Sequence, residues 1–385
     1  VMENYGHETR VVKLPDDYEG PVTATVVSLR AEPPSASAVL YVHGYLDYYF
    51  QYHMGRHFAG HGRNFYALDL RKYGRSWMPH QHFNYCRRME EYFPEMDAAI
   101  DVILADGNTD ITLIGHSTGG LLSALYCAEG ARRGFINRLI LNSPFLEFNT
   151  GWFVRRAVIP VAGALSLLFP YAKVRNVLSP NYFKSVHASR YGEWEFDTRW
   201  KPEQAPPLYL AWLRAVRLAQ RSVHRGLGLP IPVLVMFSDR STYHKRWHEE
   251  ALASDTILNV GHIARYGAKL GDNVTLEDEI QLKKKAHEKG LAVMGPDCGT
   301  GIIQGVPIAF TNHVAPGPIG IIGASGTGIQ ELTTIIDRLG EGVKNAIGTG
   351  GRDLSTEVGG ITMMDMIEAM EQDDSVKVLI IISKP

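Results

Sequence analysis

Gly115-His116-Ser117-Thr118-Gly119 stands between an apolar run, ITLI, and a helix-forming stretch, GLLSALYCAEG. This is the feature that most constrains the chain. A serine at a sharp strand-to-helix turn takes strained backbone angles, and glycines two residues before and after it remove side chains that would collide across the turn. The helix that follows points its first amides at the site, which favours a developing oxyanion. Around this turn the chain alternates. VTATVVSL, AVLYVHGY, NFYALDLR, ITLIGHS, RLILNSPF and IPVLVMFS are short runs rich in Val, Ile and Leu, separated by turn residues and helical stretches. That rhythm predicts a mostly parallel sheet covered on both faces.

The rhythm breaks between Phe148 and Pro230, a stretch rich in aromatics, Arg and Pro. It reads as a cap, about 148–230, inserted over the carboxyl edge of the sheet. Within it, Ala157 to Leu168 (AVIPVAGALSLL) is the longest apolar run, too short to cross a bilayer, and reads as a buried or lid helix in preference to a membrane-surface contact. His43-Gly44 follows the strand AVLYV. The loop after that strand is placed to donate one backbone N–H to an oxyanion hole, with Tyr45 as its donor and Thr118 as the second. His43 itself reads as a structural residue bonded beneath the loop.

The run from Val39 to Pro79, with the HG loop and the D-x-R-x-x-G-x-S segment at Asp69 to Ser76, leads into LIGHSTGGLLSALY. Together they resemble the serine-aminopeptidase and monoacylglycerol-lipase (lysophospholipase) branch of the α/β-hydrolases. The resemblance covers roughly residues 15 to 275. It implies hydrolysis of an acylglycerol or lysophospholipid ester through an acyl-enzyme on Ser117, with no cofactor and no metal.

A serine hydroxyl needs an adjacent imidazole as base, and the imidazole needs a carboxylate. In this fold the order is Ser, acid, His. Two acids follow IPVLVMFS. Asp255, in SDTILNVGHIARYG, fits the acid loop better than Asp239, and SDRSTYHKRWHEEALA then reads as a local insertion. Asn273 to Leu276 (NVTL) resembles the last strand, yet no histidine follows it in a loop. His287 falls in a charged helix, His262 in the helix after Asp255, and His313 beyond. The expectation is a weak or inactive serine ester hydrolase.

From about Leu276 the character changes. LEDEIQLKKKAHEKG reads as a charged helix with Glu279 four residues ahead of Lys283, a helix-supporting pair. MGPDCGTGII, GIIGASGTGIQE and GTGGRDL are Gly-rich, with LAVMG, IGIIGAS and VLIIIS as expected strands. The order of these motifs resembles FdrA of the acyl-CoA-synthetase family, related to the α-subunit of succinyl-CoA synthetase. That resemblance implies a Rossmann-like CoA-binding unit leading to a flavodoxin-like ligase unit, with other synthetase subunits as partners. It also implies acyl-CoA ligase or carbamoyl-transfer chemistry. Gly323, Ser325, Gly326, Thr327 and Gly328 open a helix after a strand, and are the candidate holders of a CoA or nucleotide phosphate. Cys298 reads as structural. The division expected is 1–275 and 276–385, joined near GDNVT, with the second part truncated after its strand VLIIIS.

Composition supports two cores, with 45 % hydrophobic and 21 % charged residues in 385. A net charge of −2 argues against nucleic acid and anionic membranes as partners. Three scattered cysteines and a polar start predict a cytoplasmic chain without disulfides. Two further readings stay open: a fragment of an acyl-CoA synthetase subunit, and a non-catalytic binder of acyl ligands.

Overall fold

The computed structural model describes residues 6–174, 176, 178–244, 246–270, 276–296, 298–309 and 311–383. The chain divides into two compact units, Val1–Gly271 and Asp272–Pro385. The expected junction, residues 271–275, and all of the expected last strand but Leu276 lie outside the described residues, and Leu276 opens a helix.

In the first unit, β1 (Glu8–Asp17), β2 (Gly20–Leu29) and β3 (Ser37–Val42) are followed by α1 (Tyr52–Gly60) and β4 (Asn64–Asp69). Then come α2 (Phe93–Ala105), β5 (Asp110–His116), α3 (Thr118–Glu129) and β6 (Ile136–Asn142). The cap holds α4 (Ile159–Leu165), β7 (Lys173–Val174), α5 (Pro180–Val186), β8 (Leu208–Tyr209) and α6 (Leu210–His224). β9 (Val233–Met236) and α7 (Val260–Gly267) close the unit. The sheet order is β1-β2-β4-β3-β5-β6-β9. The first two pairings are antiparallel, and those from β4 through β3, β5 and β6 to β9 are parallel.

Burial explains the order. Every residue of β4 is buried, and so is β3 after Ser37, as strands covered on both faces require. On one face Ile100, Ile103, Leu113, Leu121, Leu125 and Leu139 form the main core. On the other, Val27, Val39, Phe65 and Ile114 pack with Met54 and Phe58. At the edge, β9 leaves Leu234 and Met236 exposed. The apolar run Ala157–Leu168, expected as a buried or lid helix, is helical as far as Leu165 and buries only one side, at Ile159, Gly163 and Ser166. Val158, Val161, Leu165, Leu167 and Leu168 face solvent.

The second unit contains α8 (Leu276–His287), β10 (Thr300–Ile303), β11 (Val306–Ala309), β12 (Ile319–Gly323) and α9 (Gly326–Arg338). β13 (Val343–Gly348), α10 (Ile361–Glu371) and β14 (Val378–Ile382) follow. Its own sheet runs β11-β10-β13-β12-β14. β12 pairs in parallel with β13 and β14, whereas β10 pairs antiparallel with β11 and β13. IGIIGAS and VLIIIS supply strands as expected. LAVMG does not. It is an irregular segment that ends with the Gly295 amide bonded to Gly348 O at 2.9 Å. The Glu279–Lys283 pair is present, but it is buried rather than solvated. Lys283 Nζ donates to Glu279 Oε1 (2.9 Å), Asp353 Oδ1 (2.6 Å) and Thr349 O (2.8 Å), and so ties α8 to the loop after β13. Cys298 is free and buried, as are Cys86 and Cys127.

In the first unit Arg71 and Glu95 form a buried bidentate pair. Arg71 Nε donates to both carboxylate oxygens at 3.0 Å, and Nη2 donates to Oε2 at 2.7 Å. Glu95→Ala strands the guanidinium without a partner, and we predict a loss of about 3–5 kcal/mol in urea unfolding.

Candidate active site

Ser117 stands between β5 and α3 with φ 53° and ψ −117°, angles that L-residues rarely adopt. The glycines around it explain how such a turn fits. A Cβ on Gly115 would lie 2.6 Å from Gly119 O, and one on Gly119 would lie 2.2 Å from His43 O. The loop after β3 is pressed onto the turn, since a Cβ on Gly44 would come 3.1 Å from Ser117 Cβ. Backbone bonds fix the serine from both sides. Its N–H donates to Asn142 O at 3.0 Å, and its carbonyl accepts from Phe145 N at 2.9 Å.

Ser117, Thr118 and Tyr45 line one cavity of about 1020 Å³, with Leu46, Phe148 and Trp212 among its apolar walls. Thr118 is the first residue of α3, where a backbone N–H has no helical acceptor. The Tyr45 ring packs on Trp212 of α6, with centroids 4.5 Å apart. His43 is fully buried, with Nδ1 bonded to Gly44 O (2.8 Å) and Nε2 accepting from Leu70 N (3.1 Å). Burial holds it below the ordinary imidazole value, against the pull of Asp69 and Asp47.

Asp255 lines the same cavity, and its Oδ1 accepts from the amides of Ile257 (2.9 Å) and Leu258 (2.6 Å). Asp239 does not line it. That side chain is 73 % exposed and lies 3.5 Å from Arg240, because the loop after β9 turns it to solvent. His262 bonds Arg155 Nη1 at 2.8 Å, and burial and Arg155 lower its pKa. His287, on α8, bonds Asp365 at 2.7 Å. His313 is exposed. Among the described residues the Ser117 hydroxyl makes no hydrogen bond to an imidazole or a carboxylate.

Four charged or titratable groups in this cavity escape a linear reading. Lys201 Nζ, from the cap, donates to Asp47 Oδ1 at 2.7 Å, and His116 Nδ1 lies 3.7 Å from Asp47 Oδ2. Burial opposes the Asp47 charge, but Lys201 and then His116 outweigh it and hold the carboxyl well below its ordinary range. The fourth is His244, in the loop after β9, with Nε2 bonded to Glu250 Oε2 at 2.8 Å. His244, His248 and Glu250 could hold a metal ion, each offering a ligand atom within 4.8 Å of the others, all exposed. Asp47 and Lys201 lie 154 residues apart, so no spacing rule links them. The His244–Glu250 pair sits in the segment read as a mere insertion.

Residues 33–255 match the family described as serine aminopeptidase, S33. The chain belongs to the serine aminopeptidase family. Its first unit is thus an α/β-hydrolase fold, with the sheet and cap described above. Among solved structures, a monoglyceride lipase from Saccharomyces cerevisiae is 14 % identical, covering 68 % of this chain and 82 % of that one with a TM-score of 0.49. The monoacylglycerol lipase of Paleococcus ferrophilus is 18 % identical, covering 65 % and 84 %, with a TM-score of 0.47. Residues 315–385 match the CoA binding domain, a Rossmann-like unit with its own sheet. Over 157 residues the chain is 47 % identical to the protein YahF of Escherichia coli, covering 41 % of this chain and 29 % of that protein. It is 25 % identical over 140 residues to the malate–CoA ligase α-subunit of Methylorubrum extorquens, covering 34 % and 46 %. The chain thus spans less than half the length of these curated relatives.

In this serine aminopeptidase relative, Asp69, Arg71, Gly74 and Ser76 are scaffold. Asp69 Oδ1 accepts from the Tyr49 amide (2.8 Å) and Oδ2 from Arg75 (2.7 Å), while Ser76 Oγ donates to Asp69 O (2.8 Å). In the CoA-binding unit Ser325 caps α9 by accepting from Gly328 N at 3.2 Å, which engages one of the expected phosphate donors internally.

Two predictions follow from this geometry. Gly119→Ala forces the elbow apart and lowers stability by roughly 1–3 kcal/mol or more in denaturant unfolding. Asp47→Asn leaves a buried ammonium beside a neutral amide, at a cost of about 3–5 kcal/mol near neutrality. A carboxyl whose folded pKa is depressed stabilises above its unfolded value and loses that contribution as pH falls. The gap between native and Asp47→Asn unfolding free energies therefore narrows on acidification below about pH 4.

Proposed function

We propose that the first unit is a serine ester hydrolase site for acylglycerol or lysophospholipid esters, with Ser117 as nucleophile, and that it turns over slowly for want of a base. The observation that carries the reading is the strained Ser117 turn at the wall of a large, largely apolar cavity, next to Tyr45 and Thr118. In the reaction Ser117 Oγ bonds to the ester carbonyl carbon while the backbone N–H groups of Tyr45 and Thr118 receive the oxyanion. The bond to the alcohol breaks, the serine proton leaves with the alcohol, and water releases the acid from the acyl-serine. Asp255 is the family acid, engaged here in capping its own loop. With no imidazole bonded to Ser117, the proton passes through solvent.

For the second unit we propose a CoA or nucleotide site at the start of α9, using the amides of Gly326 and Thr327 with Ser325. Gly323 and Gly328 instead serve the close packing of helix on strand. The match to the CoA binding domain and the Gly-rich entry to α9 support this. When bound, CoA would carry an acyl thioester, the chemistry of an FdrA-like ligase subunit acting with partner subunits. Saturable CoA binding that residues 1–275 do not require would favour this reading.

The hydrolase reading is tested with a fluorophosphonate probe on the native chain, Ser117→Ala and His244→Ala. Labelling that depends on Ser117 but runs on the order of 10⁴-fold or more below a complete triad is expected. Labelling at full triad speed that collapses in His244→Ala would overturn the missing-base account and make His244–Glu250 the base and acid. Labelling untouched by Ser117→Ala would remove Ser117 as nucleophile.

A further inference from the structure

The cap carries a helix that is apolar on two faces. From Trp152 to Leu165 the backbone is helical. Ile159 and Gly163 turn inward, with Gly163 against the Arg214 side chain on α6. On the opposite side Val154, Val158, Val161, Leu165 and Leu168 recur at helical spacing and are 37 % to 76 % exposed. Trp152, Phe153, Leu167 and Phe169 flank this stripe, each at least 60 % exposed. An apolar face of this length is normally covered, by protein or by lipid.

The neighbouring charges select between those covers. Arg155, Arg156, Arg214, Arg217 and Arg221 line a groove of about 360 Å³ between this helix and α6, and no acidic side chain lines it. Arg155 bonds His262 and Arg217 bonds Glu147. Arg156, Arg214 and Arg221 make no hydrogen bond or ion pair among the described residues. A second copy docking through the same face in a two-fold dimer would bring this unneutralised groove against itself. An anionic lipid surface satisfies both features at once. The helix rises only about 20 Å, so it lies along a surface and does not cross it. The overall charge of −2 conceals this basic concentration, because acids elsewhere cancel it.

We propose that the cap docks this face on an anionic phospholipid surface. The Val154–Leu168 stripe enters the boundary between headgroups and acyl chains, and the arginine groove receives a lipid phosphate. Docking does not depend on the chemistry of Ser117.

The test is sedimentation of the full chain with vesicles of phosphatidylcholine alone or with ~30 % phosphatidylglycerol. Compared with it are Leu165→Asp/Leu168→Asp and Arg156→Glu/Arg221→Glu, whose changed side chains are exposed, each with its melting curve recorded. Binding to the anionic vesicles should exceed that to phosphatidylcholine by about tenfold or more, weaken with salt, and fall by about tenfold in either variant. Ser117→Ala should bind as the native chain does, so a failed hydrolase reading and a failed docking surface are told apart. Absence of binding to either vesicle, or equal binding by natively melting variants, would overturn the proposal. So would a native dimer without vesicle affinity that the Leu165→Asp/Leu168→Asp variant splits, since the face would then belong to a second copy.

Discussion

Between Gly119 and the carbonyl oxygen of His43 there is no room for a methyl group. Much of the site's geometry depends on that close approach. It lets the loop after β3 lie directly on the turn after β5, so that Gly44 abuts Ser117 and the Tyr45 and Thr118 residues line the same space. Ser117 beside it holds a strained positive-φ conformation, which the bonds to Asn142 and Phe145 sustain. Strain of this kind persists only where surrounding structure overdetermines it. Here the fully buried strands β3 and β4, and β5 beside them, supply that support.

The cap completes the loop's restraint. Tyr48 accepts a 2.6 Å bond from the Asp197 amide, Phe50 packs on Phe196, and Lys201 reaches Asp47. One short stretch of cap therefore holds the segment that carries the Tyr45 amide. The loop that carries Tyr45 and the wall of the cavity are built from interactions that involve no imidazole bonded to Ser117 among the described residues. That independence explains how an elbow can stand complete while no imidazole bonds to its serine. The same cap turns its other side to solvent as an apolar stripe edged by arginines, so a single insertion shapes the cavity and the outer surface.

The elbow, the strand-forming runs of the first unit's mostly parallel sheet and the bonding of His43 beneath its loop were legible in the sequence because each follows from local pattern. The preference for Asp255 over Asp239 rested on the local pattern of the loop before α7, and of the two only Asp255 lines the Ser117 cavity. Contacts across long separations were not legible. Nothing in the string links Asp47 with Lys201, and the antiparallel β1 escaped notice because its alternation exposes most of its residues. For the helix at Ala157–Leu168 the sequence left buried and lid readings open, because hydropathy does not tell which faces a fold will cover. In the second unit LAVMG has strand composition, but β10, β11 and β13 with their neighbours fill the sheet instead.

On the proposed reading Ser117 is preorganised and lacks its base. Chemical rescue addresses this most directly. Hydrolysis of a short acyl nitrophenyl ester is followed while imidazole is added to the native chain and, as background, to Ser117→Ala. The native rate should be low without imidazole and climb in proportion to it, well above the background. A native rate already high and indifferent to imidazole would mean instead that a histidine of the chain supplies the base.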